Sequence, residues 1–585
     1  MVAAENEIIL NGIAASPGIA IGKAFLLTGD VVKVVEKSID DSHVEDEINR
    51  FLKAIEKTKT QFEVIQKKAK FDTGLEGEKL FDVYCMLLED STVIDETISR
   101  IRDEKINSDF IYYHVMKKFQ QMLESSTDDY FAGRATDIRD VKRRVIRNIQ
   151  GKRHSIMNHL DDRSIIVARE LTPIDTVQLD KSKVLAFITD AGGRTSHAAI
   201  MAQSMQIPSV VGLKSISSCI QNEEMLIVDG TAGKVIILPT DATLKKYKKI
   251  QQQQLEKTRA LESIRELPSI TKDGKCVELS ANLEFPEDMI KLKAFGANGI
   301  GLYRTEYLYL TKDELPSEED EFREYDTVAK NAYPQSVIFR TLDIGGDKKP
   351  RAVEIPEEEN PFLGLRGIRL TLHRKDLFQA QIRAILRASS RENVKILFPM
   401  LSSVAELVEA KKILTDIKQE MIREKIHFDQ SIDIGAMIEV PSAAVIADLI
   451  AKEVDFLSIG TNDLIQYLLA VDRGNEQISH LYKTYSIAVF RMIKNIVDAG
   501  HRQGVWVGMC GEMAGDPFST LALVGMGLDE LSVTPAVLPK IKKIIRSMNY
   551  KDAQVISERV LQFQSSENVE KFLIKVTQEH FGDIL

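Results

Sequence analysis

The chain has 585 residues, 44% hydrophobic and 28% charged, with 77 Lys and Arg against 87 Asp and Glu for a net charge of −10. That length supports about three to four domains, and a mild, dispersed acidity without a basic stripe argues against a nucleic-acid partner. No apolar run reaches membrane-spanning length, the start MVAAENEIILNG has acids where a secretory leader needs positive charge, and Cys85, Cys219, Cys276 and Cys510 lie far apart without a C-x-x-C pair, so a cytoplasmic chain with reduced thiols and no membrane insertion is expected.

Residues 8–27 are strand-rich and punctuated by glycine. After Pro17 no proline occurs until Pro173, and Val44, Ile48, Phe51, Leu52, Ile55, Phe62 and Ile65 recur at helical spacing between Lys and Glu. Further helical segments are predicted at 78–89, 92–104, 108–124 and 129–149, giving a bundle of four or five helices over 33–150. Residues 164–238 return to short strands. The simplest account is one mixed α/β domain, 1–32 and 151–240, interrupted by the helical bundle. Met86 and Leu87, with Glu76, Glu78, Glu89 and Asp90 nearby, read either as a docking face on that bundle or as interior apolar residues beside a solvated face.

A predicted strand, Val184 to Thr189, runs into Gly192-Gly193-Arg194-Thr195-Ser196-His197-Ala198-Ala199-Ile200-Met201-Ala202. The glycines permit positive φ and close approach of another group, and the helix start behind them offers N–H donors to an anion. His197 sits there among small neighbours, which suits an imidazole that receives and passes on a phosphoryl group, although a lone histidine in such a place is often only a cap. The string resembles the phosphohistidine motif of the phosphoenolpyruvate-utilising enzymes. Residues 241–268, polar and free of glycine through 266, read as a helical linker rather than a core element.

From 269 to the end, eight apolar blocks alternate with helix-like stretches: 277–282, 299–304, 336–343, 395–400, 434–440, 456–463, 505–510 and 530–535. Eight βα units in this length predict a (β/α)₈ barrel, whose active face lies at the carboxyl ends of the strands. Those ends carry Asn282, Arg304, Arg340, Glu439, Asn462, Asp463 and Cys510, with Arg366 and Arg473 in later loops. Converging arginine forks imply a small ligand bearing phosphate and carboxylate. Two carboxylates without a His or Cys ligand set suit a hard ion such as Mg²⁺. Cys510 is either a proton donor to a carbanion-like carbon or a packed thiol.

Across GLYRTEYLYL (301–310), RTLDIGGDK (340–348), ENPFLGLRGIR (359–369), DFLSIGTNDL (455–464), AVDRGN (470–475) and GMCGEMAGD (508–516), the chain resembles the enzyme I family of the bacterial phosphoenolpyruvate-dependent sugar phosphotransferase system. SPGIAIGKA near the start, MLLED in the bundle and KIIRSMNY near the end extend the likeness over nearly the whole chain. The resemblance implies a phosphohistidine swivel domain bearing a bundle that docks the histidine phosphocarrier protein HPr, then a barrel that binds phosphoenolpyruvate and forms a homodimer. It implies His197 as the phosphorylated nucleophile, Arg304, Arg340, Arg366, Asn462 and Arg473 at the substrate, Glu439 and Asp463 on Mg²⁺, and Cys510 as proton donor. Val440, Gln203, Ile465 and Tyr84 depart from frequent family residues at their positions, and none removes a phosphate, metal or proton-transfer group. A dikinase or synthase of the same chemistry would need a nucleotide-binding domain, and 33–150 has no Gly-rich phosphate loop. A regulatory relative without activity would show an eroded barrel mouth.

Overall fold

The computed structural model describes residues 7–27, 34–73, 84–124, 135–151, 163–171, 181–193, 196–205, 207–311, 314–346, 348, 350, 352–475 and 477–582. It falls into two units, Met1–Glu256 and Lys257–Leu585.

The first unit is built on strands β1 (Ile8–Asn11), β2 (Ile13–Ser16), β3 (Ile19–Leu27), β4 (Ser164–Ala168), β5 (Val184–Thr189), β6 (Ser209–Val211), β7 (Met225–Asp229) and β8 (Lys234–Ile237). Their order across one sheet is β1-β8-β7-β3-β4-β5-β6-β2. Strands β3 to β6 run parallel, and the flanking strands pair antiparallel. The near-continuous apolar runs SIIVA and VLAFIT are what central strands covered on both faces require. Alternation sends Ile165, Val167, Ala186 and Ile188 to one face. Ile166, Ala168 and Phe187 go to the other, against Ala198, Ala199 and Ala202 of the helix His197–Met205.

Between the adjacent strands β3 and β4 the chain forms the helices Val44–Thr73, Ser91–Glu104, Ser108–Glu124 and Ala135–Ile149, with a further helical turn at 84–89. They have a core of their own, including Phe51, Phe62, Ile101, Tyr112 and Val145. Tyr84 is buried there, its ring centroid 5.3 Å from that of Phe62. Met86 is 70% exposed, whereas Leu87 is half-buried against the bundle core. Glu89 pairs with Lys59, and the Asp90 carboxylate accepts the Thr92 N–H at 2.8 Å, capping the next helix. Glu76 and Glu78 lie outside the described residues.

The segment at 241–268 is more than a linker. Its helix, Asp241–Glu262, lays Leu244, Tyr247 and Ile250 against Ile19, Ile227 and Ile236 of the sheet, and Gln251 Nε2 donates to the Ile19 carbonyl at 2.9 Å. Three apolar residues spaced three apart were diluted by the Lys and Gln around them, so composition hid a buried stripe.

The second unit is a closed barrel of eight parallel strands: β9 (Glu278–Leu283), β10 (Ile300–Arg304), β11 (Val337–Arg340), β12 (Val394–Phe398), β13 (Ile434–Ile438), β14 (Phe456–Ile459), β15 (Trp506–Met509) and β16 (Glu530–Val533), with β16 pairing β9. Each of the eight apolar blocks of the sequence overlaps one of these strands, six containing it whole, while β9 ends one residue after its block and β12 begins one residue before its own. The barrel interior holds Leu302, Ile338, Leu397, Met437, Phe456 and Cys510. Trp506, the single tryptophan of the chain, stacks on Phe456 with centroids 4.6 Å apart and planes 4° apart, and Lys395 Nζ lies 5.4 Å from its ring. Among the described residues no helix is long and apolar enough to cross a membrane.

Candidate active site

Two places in the chain carry the chemistry-bearing residues, one in each unit. In the first, β5 ends at Thr189 and the helix His197–Met205 begins with His197 itself. Gly192 adopts φ +112°, which a side chain would strain, and a Cβ there would stand 3.0 Å from Ser196 Oγ. The Ser196 N–H donates to the Gly193 carbonyl at 3.1 Å, closing the turn that presents the helix start. Ser196 Oγ, one residue before His197 in sequence, is buried without a hydrogen-bond partner. Gln203, one of the departures from the family pattern, donates from Nε2 to the Ala15 carbonyl at 2.7 Å and ties this helix to β2. Arg194 and Thr195 lie outside the described residues.

At the barrel mouth, Arg304 and Arg340 are the last residues of β10 and β11 and stand opposite each other in register. Arg304 is half-buried and donates from Nη1 to Glu284 Oε1 at 2.9 Å. Arg340 is buried; its Nη2 pairs with Glu306 and its Nη1 lies 3.2 Å from Asp343 Oδ2. Burial penalises the Glu306 anion, but the charges of Arg340 and Lys348 outweigh it and hold the carboxyl below its ordinary range. The same contest, with Arg366 added, holds Asp343 low.

Arg366 has all five N–H groups engaged. Nε and Nη2 donate to the two Asp343 oxygens at 3.0 and 3.1 Å, Nη1 and Nη2 to the two Asp463 oxygens at 2.9 and 3.2 Å, and Nη1 also to the Tyr467 hydroxyl at 3.4 Å. The structure thus places Arg366 at the site as the bridge between two carboxylates, its donors already paired.

Glu439 follows β13 directly and is 1% exposed. Its Oε1 accepts the Met400 N–H at 2.6 Å, and Met400 sits at φ +57°, unusual for a residue with a side chain. Gly460 makes room for the other oxygen, since a Cβ there would come within 2.7 Å of Glu439 Oε2. Burial, then the negative charges of Asp463 and Asp343, push the Glu439 carboxyl up to about 8.

Strand β14 ends at Ile459, and Asn462 and Asp463 lie in the first turn of the helix Thr461–Leu469. The expectation that they end a strand is corrected by that early helix start. Asn462 is locked by Glu512: its Nδ2 donates to Glu512 Oε1 at 3.1 Å while its Oδ1 accepts the Glu512 N–H at 2.9 Å. Arg473 is exposed, with its N–H on Gln466 Oε1 at 3.2 Å and its charge felt by Tyr482.

Cys510 follows β15 and is 2% exposed. Its Sγ accepts from Ser458 Oγ at 3.3 Å, and its carbonyl accepts from Asn282 Nδ2 at 2.9 Å. Burial pushes the thiol up to about 11, so it stays protonated at neutral pH. Arg304, Cys510, Asn282, Glu284, Glu512 and Thr534 help line one cavity of about 480 Å³ at this face.

Glu306 and Asp343 were missed by sequence reasoning, though each lies within three residues of a strand-end arginine, where the barrel rule already pointed. Met400 left no sequence signal, because its role is carried by a backbone N–H.

Three family profiles match the chain: the N-terminal region of PEP-utilising enzymes over residues 11–134, their mobile domain over 160–233 and their PEP-binding domain over 258–550. Curated relatives match along nearly the whole length. The phosphoenolpyruvate-protein phosphotransferase of Priestia megaterium is 43% identical over 96% of this chain and 98% of its own. Those of Listeria monocytogenes and Bacillus subtilis are 41% and 42% identical, covering 97% and 96% of this chain and 99% of theirs. The chain belongs to the phosphoenolpyruvate-protein phosphotransferase family. The members of this family are enzymes, and the eight-stranded barrel falls within the residues matched by the PEP-binding profile.

Among the described residues no group of three or more His, Cys, Asp or Glu is arranged to hold a metal. Glu439 and Asp463 nevertheless fit a hard cation that takes only one or two protein carboxylates and completes its shell from water and substrate. Burial, with the charges of Asp463 and Asp343 adding to it, disfavours the Glu439 anion, and a bound cation would offset that penalty.

Proposed function

We propose that the chain transfers the phosphoryl group of phosphoenolpyruvate to His197 and then to the histidine phosphocarrier protein HPr, releasing pyruvate as the first step of sugar phosphotransfer. The observation that carries this reading is the convergence, on one barrel rim, of register-paired Arg304 and Arg340 with Glu439, Asp463 and a protonated Cys510.

Arg304 and Arg340 present forks to the phosphate and carboxylate of the substrate, with Asn462 and Arg473 beside them and Arg366 holding Asp463 in place. Catalysis in such a transfer is largely positioning and charge neutralisation. The imidazole of His197 attacks phosphorus as the bond to the enol oxygen breaks. The electron pair left on the enolate then takes the Cys510 proton at carbon, giving pyruvate, and the thiolate recovers a proton from solvent. Glu439 and Asp463 would hold Mg²⁺, which neutralises charge on the substrate oxygens. The second step needs His197 to face the carrier protein, and the bundle bearing exposed Met86 is its docking surface. We also propose a cytoplasmic homodimer associating through the barrel unit, which exposes Val445 and Leu449 on successive short helices.

Incubation with labelled phosphoenolpyruvate, with and without HPr, tests the reading. An acid-labile, base-stable label should appear on the chain, move to HPr, and be absent in His197→Ala. Label persisting in that variant, or no label on the wild type, would overturn it.

A further inference from the structure

Behind the barrel mouth lies a buried polar chain that touches none of the groups assigned to substrate through its side chains. It begins at Gln381 on the helix Lys375–Ala388, a helix whose inward face is otherwise apolar, with Phe378, Ile382 and Ile385 in the barrel core. A polar residue on such a face calls for an account of its bonds. Gln381 is 1% exposed, and its carboxamide is fully used. Oε1 accepts the Leu342 N–H at 2.8 Å, while Nε2 donates to Thr305 Oγ1 and to the Tyr325 hydroxyl, both at 3.1 Å.

The directions of these bonds are fixed. Thr305 spends its single proton on the Arg340 carbonyl at 2.9 Å, so it can only accept from Gln381. Tyr325 spends its proton on Glu321 Oε1 at 3.1 Å, to which Tyr309 also donates at 2.8 Å. Glu321, whose carboxyl burial pushes up to about 8, closes the chain by accepting both hydroxyl protons at Oε1. One amide therefore has a single permitted orientation, and in it joins the residue after Arg304 to the carbonyl of Arg340 and the N–H of Leu342. The next residues along those two segments are Glu306 and Asp343, the carboxylates that grip the Arg340 guanidinium.

We propose that Gln381, acting through Thr305, is a positioning residue that fixes the backbone of the two strand ends carrying Arg304 and Arg340, and so sets the spacing of the substrate clamp. This rests on the reading of those arginines as the phosphoenolpyruvate clamp. Outer groups that orient the residues touching a ligand commonly matter about 10–100-fold in activity.

The test is the steady-state kinetics of pyruvate release from phosphoenolpyruvate by the full chain, with HPr in excess as phosphoryl acceptor, together with thermal unfolding, for four variants. Gln381→Met keeps length and removes the three bonds; Thr305→Val keeps shape and removes the bridge to Arg340. Both should lower kcat/KM about tenfold or more, mainly through KM. Tyr325→Phe leaves the Gln381–Thr305–Leu342 ties intact but strips a donor from buried Glu321, so it should lower the unfolding midpoint most and KM least. That reversed ranking separates positioning from mere stability. A wild-type KM in Gln381→Met, or a KM that follows the unfolding midpoint across the three variants, overturns the proposal. Arg340→Lys is the control: if it is impaired while Gln381→Met is normal, only this inference fails, whereas a normal Arg340→Lys removes the clamp reading beneath it.

Discussion

Arg340 is the residue whose surroundings constrain its replacement most tightly. Its guanidinium lies between Glu306 and Asp343, both buried. A lysine keeps one charge but cannot hold two carboxylates and a substrate with a fork geometry, and it leaves part of a buried anion pair uncompensated. Arg340→Lys should therefore lose about 10²–10³ in kcat/KM, on the order of removing one donor from a preorganised oxyanion site. Labelling of His197 from phosphorylated HPr should be unchanged, because it uses nothing in the barrel. Cys510 gives a prediction with a sign that follows from burial. A proton donor works in its protonated form, and this thiol is held up to about 11 rather than near its ordinary value. Pyruvate formation should thus not fall as pH rises through about 8.5, the ordinary thiol range. Cys510→Ala should slow pyruvate release while leaving transfer from already phosphorylated enzyme to HPr near normal; stopped-flow measurement of the two steps separates them. Loss of rate in the wild type tracking an ordinary thiol titration would show that Cys510 is solvated during turnover and not the buried acid described.

At the level of elements, the barrel was legible because each strand is short, apolar on both sides and followed by a helix-like stretch, so that the eight blocks stood out. Their ends were less so. The blocks 456–463 and 434–440 ran on past Ile459 and Ile438, since Gly460 and Thr461 make only a weak break and Glu439 is followed by apolar Val440, which prolongs the run. The arginines at 304 and 340 were placed well for the opposite reason: a charged residue closing an apolar run marks its own boundary. What no pattern could show are partners distant in the chain, such as Met400 for Glu439 or Gln381 for the arginine strands. The helix Asp241–Glu262 illustrates the same limit, its buried stripe obscured by polar neighbours. Tyr247 is 9% exposed and its hydroxyl interacts with Asp229. Tyr247→Ala should cost about 3 kcal/mol of the stability of its unit, read as a lower urea midpoint for the fragment described next, with the barrel unaffected.

At the level of the whole molecule, the division at Glu256 makes a cut possible that keeps Tyr247 and Gln251 with the sheet they pack on. A fragment of residues 1–256 holds His197, the bundle and its own apolar cores, so it should fold alone. It should accept phosphate from phosphorylated HPr and be inert to phosphoenolpyruvate, having lost Arg304, Arg340, Glu439, Asp463 and Cys510. Direct labelling of that fragment by phosphoenolpyruvate would place the substrate site in the wrong unit.

The lone tryptophan gives that division an optical signature. Trp506 lies in the barrel, stacked on Phe456 beneath the Lys395 ammonium, and no other indole exists to blur its emission. Red-edge-excited fluorescence of the intact chain is therefore blind to everything before the barrel, whereas far-ultraviolet dichroism sums the helices of both units. If the two units melt at different temperatures, the two traces will cross their midpoints apart, and the gap between the two transitions will measure, without any cut or label, how independently the half of the chain that carries His197 comes undone.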